Sequence, residues 1–276
     1  MVAGVPNSCS QRLCWVTVDM SDRSGIQWTE ATWNPTTGCD RVSPGCDRCY
    51  AMALAKRLKA MGSARYQRDG DPQTSGPGFG LTMHHEALDL PTRWAGPRVV
   101  FVNSMSDLFH PGVPVGFIRE VFDVMVATPR HTFQVLTKRS KRLQALAEAL
   151  PWPSNVWVGV SVESNRYTFR VDHLRRVPAA IRFLSAEPLL GPLDSLDLED
   201  IDWLIVGGES GHGARSLDAT WARDLRDRCA ATGTSFFFKQ WGGRTPKAGG
   251  RLLDGRTWDE VPNFRELRFH RVSLQA

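Results

Sequence analysis

Six short apolar runs alternate with helical patterns along most of the chain. The runs lie at residues 98–102, 132–136, 155–160, 181–184, 202–206 and 234–238, with helical patterns at 115–128, 139–149, 165–175 and 219–231. Strands that alternate with helices pair side by side in a parallel sheet, because each helix returns the chain to the same edge. The pattern predicts an α/β fold, with a further β-rich stretch at 26–33 as its first strand.

Polar or charged residues follow every apolar run, at 103–107, 137–139, 161–163, 185–188, 207–210 and 239–242. The carboxyl ends of parallel strands share one edge of the sheet, and α/β proteins place their sites there. A single polar residue at such a position is about as often a helix N-cap. Charged side chains are seldom placed beside a hydrophobic core unless they are paired or functional. Glu163, Glu187, Glu209 and Lys239 are such residues. We therefore expect these strand ends to ring one site.

Three of the six cysteines, Cys39, Cys46 and Cys49, fall within eleven residues at the spacing C-x6-C-x2-C. The turn sequence at 43–45 lets the chain fold back between the first two, and a helix is predicted near 48–61. Three thiolates beside a helix N-terminus suit either an iron–sulfur cluster or zinc.

The number of ligands separates the functions that such a site can have. A structural zinc site uses four protein ligands, and a four-iron cluster with three thiolates leaves one iron open for chemistry. A fourth ligand recruited from Cys14, Cys229 or a histidine would make the site structural. Three alternatives stay open: an iron–sulfur enzyme, an iron–sulfur binding or redox-sensing module without catalysis, and a zinc-stapled barrel with hydrolytic chemistry at the strand ends.

Charge and cysteine usage indicate the environment and the class of partner. The net charge is +5, and residues 39–68, here called the basic segment, hold seven Lys/Arg against two Asp. A nucleic acid would suit this segment, although a solvated helix face explains the same charges. Clustered cysteines, with no signal-peptide pattern and no run long enough to span a membrane, predict a cytoplasmic protein without a membrane partner.

The ends of the chain differ from its centre. Residues 1–25 show no periodicity, so we expect a disordered or dispensable N-terminal extension. Residues 26–243 hold the repeated units, and residues 244–276 predict a small C-terminal hairpin and tail, with a turn at Asp254-Gly255.

Several blocks of sequence resemble a bacterial and phage family of three-cysteine proteins of unknown function. The blocks lie at 33–39, 43–51, 101–110, 184–191, 206–211 and 238–243. That family in turn resembles the radical S-adenosylmethionine enzymes, such as spore photoproduct lyase, a DNA repair enzyme. The resemblance implies a partial (β/α) TIM-type barrel of about six to seven parallel strands.

The same resemblance implies that Cys39, Cys46 and Cys49 hold a [4Fe–4S] cluster whose open iron binds S-adenosylmethionine. Such an enzyme generates a 5′-deoxyadenosyl radical and takes its electron from a reductant protein such as a ferredoxin or flavodoxin. The resemblance to spore photoproduct lyase implies a role in DNA repair or modification. By position, the cofactor-binding residues would be Asn103 and Ser104 for the amino group, Ser161 and Glu163 for the ribose, and Tyr50 near the adenine. The catalytic residues would be Lys239, Glu209 and Glu187, with further substrate contacts from Lys138, Arg139 and Gln240.

Overall fold

The structure is a computed structural model that describes residues 24–262. Its strands are β1 (Ala31–Trp33), β2 (Thr36–Thr37), β3 (Thr82–Met83), β4 (Val99–Val102), β5 (Thr132–Thr137), β6 (Val156–Ser161), β7 (Ile181–Ala186), β8 (Trp203–Gly207) and β9 (Ser235–Gln240). Its α-helices are α1 (Tyr50–Ala60), α2 (Leu90–Arg93), α3 (Val115–Ala127), α4 (Ser140–Leu146), α5 (Phe169–Arg175) and α6 (Ala219–Thr232). The expected N-terminal extension and the tail after 262 lie almost wholly outside the described residues.

Seven strands form one parallel sheet in the order β1-β4-β5-β6-β7-β8-β9, which curls into a half-barrel. This confirms the predicted α/β fold and the partial TIM-type barrel. The strands follow one another in chain order from β4 to β9, because a helix or loop crossover returns the chain each time to the same end of the sheet. All carboxyl ends of the strands therefore lie at one edge.

The inner face of the sheet is filled by large apolar side chains. Successive residues of a strand point to opposite faces, so Trp203 and Ile205 of β8 face inward while Leu204 joins the outer core. The Trp203 ring meets Trp157, Trp28, Phe183 and Phe237 at centroid distances of 5.7 to 6.2 Å. These aromatic contacts fill the bottom of the half-barrel, below the carboxyl ends of the strands.

The outer face of the sheet packs against the helices. Helix α3 buries Phe117, Ile118, Val121, Phe122 and Met125 in this outer core, at the i, i+3, i+4 spacing of an amphipathic helix. Because both faces of the sheet are covered, the strand sequences read as nearly continuous apolar runs.

The first strand is shorter than the sequence predicts. Of the stretch 26–33, only Ala31–Trp33 pairs with β4, starting at Ala31 opposite Val100. Ahead of it, Thr29 Oγ1 donates to the carbonyls of Ala31 and Val99, and Trp28 turns into the inner aromatic cluster. The tryptophan therefore contributes to the floor of the half-barrel and not to the sheet.

A two-stranded antiparallel ribbon of β2 and β3 lies beside the sheet and delivers the cysteine segment. Gly38, just after β2, has a φ of 85° and bridges to Ser106, which follows β4. A Cβ on Gly38 would lie 2.3 Å from the carbonyl oxygen of Gly80, so only glycine fits this crossing. The chain thus enters the cysteine segment at the carboxyl edge of the sheet.

The C-terminal turn is where the sequence predicts it. Asp254 and Gly255 both have positive φ, 53° and 80°, and Leu253 pairs with Arg256 across them. The segment then returns antiparallel to β9, where Asp259 bridges to Phe237. Across residues 24–262, none of the helices has the length and apolar character needed to cross a bilayer.

Candidate functional site

A cavity of about 350 Å³ opens at the carboxyl edge of the half-barrel. Its apolar floor includes Trp28 and Phe101, whose ring centroids lie 4.7 Å apart. Ten of the eleven site residues predicted from the sequence line it: Cys39, Cys46, Cys49, Tyr50, Asn103, Ser104, Ser161, Glu187, Glu209 and Lys239. The structure thus brings these side chains together, while their individual roles stay predictions.

The cysteines come from one loop between β2 and α1. A 3₁₀ turn at Pro44–Cys46 reverses the chain, and Cys49 is the N-cap of α1. All three thiols are free and half-buried. Burial raises the pKa of Cys39 to about 12, with the charge of Asp107 adding to the effect, and burial also raises the pKa of Cys49. A metal bound here must therefore displace protons from neutral thiols.

Three thiols are the donor set that a [4Fe–4S] cluster with one open iron would use. All three line the same cavity, and Cys46 adds to the raised pKa of both Cys39 and Cys49. Within the described part of the chain, no three His, Cys, Asp or Glu side chains are grouped closely enough to hold one metal ion.

The first cysteine is bound by a buried arginine. Arg139 Nη1 lies 3.2 Å from Cys39 Sγ and 3.2 Å from Asp107 Oδ2. Arg139 Nη2 also donates to the carbonyl of Asp40 at 3.3 Å. Arg139 lines the cavity, as expected of a substrate contact. Its guanidinium, however, is already hydrogen-bonded to the cysteine loop and to Asp107.

The second half of the loop is held by Glu209. Its carboxylate accepts from Arg48 Nη1 at 3.2 Å and from both the backbone and the guanidinium of Arg215. Arg215 Nη2 donates in turn to the carbonyl of Pro44 at 2.8 Å. Arg48 lies between Cys46 and Cys49, so Glu209 ties the end of β8 to the cysteine loop.

The cavity lining also carries an ion pair between Lys239 and Glu187. Lys239 Nζ lies 2.8 Å from Glu187 Oε1, and Ser185 Oγ donates to Glu187 Oε2 at 3.4 Å. Nearby, Gln240 Nε2 donates to Ser210 Oγ at 2.7 Å. The pair lies on the cavity lining at the ends of β7 and β9, where a bound molecule could contact both charges.

The predicted cofactor residues after β4 are partly engaged in holding the chain. Asn103, at a φ of 60°, donates from Nδ2 to Thr36 Oγ1 at 3.0 Å. Ser104 Oγ donates to Asn34 Oδ1 at 3.2 Å, and its carbonyl accepts from the Tyr50 hydroxyl at 2.6 Å. These bonds join the ends of β1 and β4 to the start of α1, so the segment is preorganised.

Glu163 is placed differently from our expectation. It does not line the cavity: its side chain is fully buried, and Oε2 accepts from Arg170 Nη1 at 2.9 Å. Oε1 lies beneath the cysteine loop, near Gly45, without a hydrogen-bond partner. Glu163 stands two residues beyond the end of β6, where Arg170 holds its carboxylate, so we leave it out of the proposed ribose contacts. Ser161 does line the cavity.

Cys229 is not a fourth ligand of the cysteine site. It is buried in α6 within the outer core and does not line the cavity. Cys14, the other cysteine named as a candidate, lies outside the described residues.

The basic segment is partly neutralised within the chain. Four of its seven cations have partners there: Arg48, Lys59, Arg65 and Arg68. The remaining three, Arg41, Lys56 and Arg57, have no side-chain partner among residues 24–262. The solvated-face explanation therefore accounts for much of the charge.

Two residues that hold the site were not predicted as site residues. Asp107 stands in the polar stretch after β4, and that position is a signal that could have singled it out. Arg215 follows no strand directly and meets the loop across 171 residues of sequence, at Pro44. No local pattern identifies such a contact.

Solved structures of spore photoproduct lyase resemble this chain weakly. One, complexed with dinucleoside spore photoproduct, is 13% identical with a TM-score of 0.46, covering 95% of this chain and 76% of the lyase chain. A mutant with bound AdoMet and dinucleoside spore photoproduct is 14% identical with a TM-score of 0.44, covering 75% and 66%. The chain thus spans about two thirds of the length of that lyase. Likenesses of this size carry no functional argument.

No curated protein matches the sequence. One family does match, over residues 23–262, and it is described as "Protein of unknown function (DUF5131)". The match covers most of the chain, including the cysteine loop and all seven strands of the sheet. The chain therefore belongs to the DUF5131 family.

Proposed function

We propose that this protein is an iron–sulfur enzyme of the radical S-adenosylmethionine type, with a [4Fe–4S] cluster held by Cys39, Cys46 and Cys49. The observation that supports the proposal best is that three free thiols line one cavity at the carboxyl edge of a parallel half-barrel. No other cysteine lines that cavity among residues 24–262, so three thiolates would leave one iron open.

When bound, such a cluster supplies the electron for reductive cleavage of S-adenosylmethionine. The chain itself supplies position and exclusion of water. Trp28 and Phe101 give the bottom of the cavity an apolar surface, which disfavours water. Asn103, Ser104, Ser161 and Tyr50 form the polar wall that we assign to the cofactor.

The charged residues of the cavity lining are assigned to the substrate. Lys239 and Glu187 lie 2.8 Å apart on the cavity lining, and Lys138 lines it as well. Either charge of the pair can bind a polar group or move a proton once a substrate separates them. Glu209 does not belong to this set, because its carboxylate is already bound by two arginines.

Anaerobic reconstitution tests the proposal. Protein loaded with iron and sulfide, then reduced with dithionite in the presence of S-adenosylmethionine, is expected to release 5′-deoxyadenosine. Cys46→Ser should abolish the product, whereas Cys229→Ala, the matched control in the outer core, should keep it. Loaded protein that never cleaves the cofactor would favour a redox-sensing module, and a colourless zinc protein would favour the zinc-stapled barrel.

A nucleic-acid substrate and a ferredoxin or flavodoxin partner also belong to this proposal. The proposal of a nucleic-acid substrate is supported by three cations without a side-chain partner among residues 24–262: Arg41, Lys56 and Arg57. DNA bound through them should lose affinity steeply as salt rises, because phosphate contacts release counterions. Binding that is flat with salt would favour a small-molecule substrate.

A further inference from the structure

The environment of Cys39 contains a charged hydrogen-bond donor that the proposed function does not use. The Arg139 side chain is only 9% exposed, and its Nη1 lies 3.2 Å from Cys39 Sγ. The same guanidinium contacts Asp107 Oδ2 and the carbonyl of Asp40. A donor this well buried acts at low local dielectric, where its charge has a larger effect than at a surface.

Asp107 keeps the arginine in place. Its Oδ1 accepts from Thr137 Oγ1 at 2.7 Å and from the Phe109 amide at 3.0 Å. Its Oδ2 accepts from the Lys138 amide at 3.1 Å as well as from Arg139. The carboxylate is thus fixed by the loops after β4 and β5, and it holds the guanidinium against the sulfur.

We infer that Arg139 is a positioning residue that donates to the Cys39 ligand and raises the reduction potential of the bound cluster. The inference rests on the proposed function. Hydrogen bonds to cluster sulfurs and nearby charges set the potential of an iron–sulfur protein. A reduced cluster is one charge more negative than an oxidised one, so the cation Arg139 favours reduction and the anion Asp107 opposes it.

The two residues therefore predict shifts of opposite sign. Arg139→Gln removes the cation and should move the midpoint potential to more negative values. We expect the ratio of reduced to oxidised cluster at a fixed potential to fall roughly tenfold, the effect of about one charge-assisted hydrogen bond. Asp107→Asn keeps an acceptor oxygen but removes the anion, so its midpoint should move to less negative values.

The test is a redox titration of the loaded proteins followed by electron paramagnetic resonance. Lys141→Gln is the matched control, because it removes an exposed cation two residues from Arg139 that lies outside the cavity lining. It should leave the midpoint unchanged. If Arg139→Gln does not load, Arg139→Lys decides, since it keeps the charge but loses the forked contact, and a smaller negative shift is expected.

Failure of the inference differs from failure of the proposed function. A wild-type protein with no cluster signal would overturn both. A wild-type signal whose midpoint is the same in Arg139→Gln, or that shifts equally in the Lys141→Gln control, would overturn the inference alone.

Discussion

The carboxylate of Glu209 shows how contacts decide the role of a residue. From the sequence it is a candidate catalytic residue, since it follows β8. In the structure both of its oxygens accept from Arg215, and one also accepts from Arg48. Burial raises the pKa of Glu209, but the hydrogen bonds from the two arginines outweigh burial and hold the pKa below its usual value. Glu209 therefore stays ionised and positions the cysteine loop.

Neutralising this residue should loosen the loop selectively. In Glu209→Gln, Arg48 and Arg215 lose their shared anion, so we expect the Cys46 thiol in metal-free protein to be alkylated several-fold faster. Cys39 should react at the wild-type rate, because Arg139 holds it independently. Mass spectrometry after timed iodoacetamide labelling measures each thiol.

The matched control for this prediction is Asp254→Asn. Asp254 also binds two arginines, Arg223 and Arg226, but on the surface and away from the cavity. Its variant should leave Cys46 reactivity unchanged. Equal reactivity of Cys46 in Glu209→Gln and wild type would show that Glu209 does not hold the loop.

Residue types at the strand ends could be predicted from the sequence, but their partners could not. The apolar runs locate Glu187 and Lys239, and the structure pairs them, 52 positions apart, although β8 lies between their strands. Glu163 was misplaced because the apolar run does not reveal that Arg170, seven residues further along the chain, binds its carboxylate. The Arg139 contact with Cys39, across 100 residues of sequence, depends on the folded sheet and on no local pattern.

Among the elements, the strands were predictable because each is an uninterrupted apolar run buried on both faces. The helices were predictable from their 3.6-residue period, as in α3. The pairing of β2 with β3 was not predictable, because each strand has only two residues and the segment between them includes the cysteine loop and α1. Such short ribbons depend on the loop packing around them.

Gly159 of strand β6 allows the packing at the inner face of the sheet to be tested. A Cβ on Gly159 would lie 2.5 Å from the Phe183 ring, so the ring or the strand must move in Gly159→Ala. We expect a loss of about 1–3 kcal/mol in the free energy of unfolding, the usual cost of overpacking a core. Denaturant unfolding followed by tryptophan fluorescence measures it.

Gly116 of α3 is the control position for this prediction, because an added methyl group there should stabilise the protein. A Cβ there meets nothing within 4 Å, and the position is helical and exposed. Gly116→Ala should therefore stabilise the protein by roughly 0.5–1 kcal/mol, because alanine loses less backbone entropy. A Gly159→Ala protein as stable as wild type would mean that the inner face is not packed as described.

At the scale of the whole molecule, the parallel sheet explains why distant residues share a cavity. Segments that follow β4 through β9 lie along one edge, and the β2–β3 ribbon brings the cysteine loop to the same edge. The order of the strands makes this gathering predictable from sequence. The shape and floor of the cavity were not predictable, because they depend on how far the sheet curls and on the Trp28 side chain.

The central claim is that three thiols hold one iron–sulfur cluster, and iron and sulfide content per chain tests it most directly. Anaerobically reconstituted protein should contain about four irons and four sulfides per chain, should absorb near 400 nm, and should lose both on Cys39→Ser, Cys46→Ser or Cys49→Ser. Cys229→Ala should retain them. Wild-type protein that takes up no iron, or that keeps its iron in all three serine variants, would contradict the account.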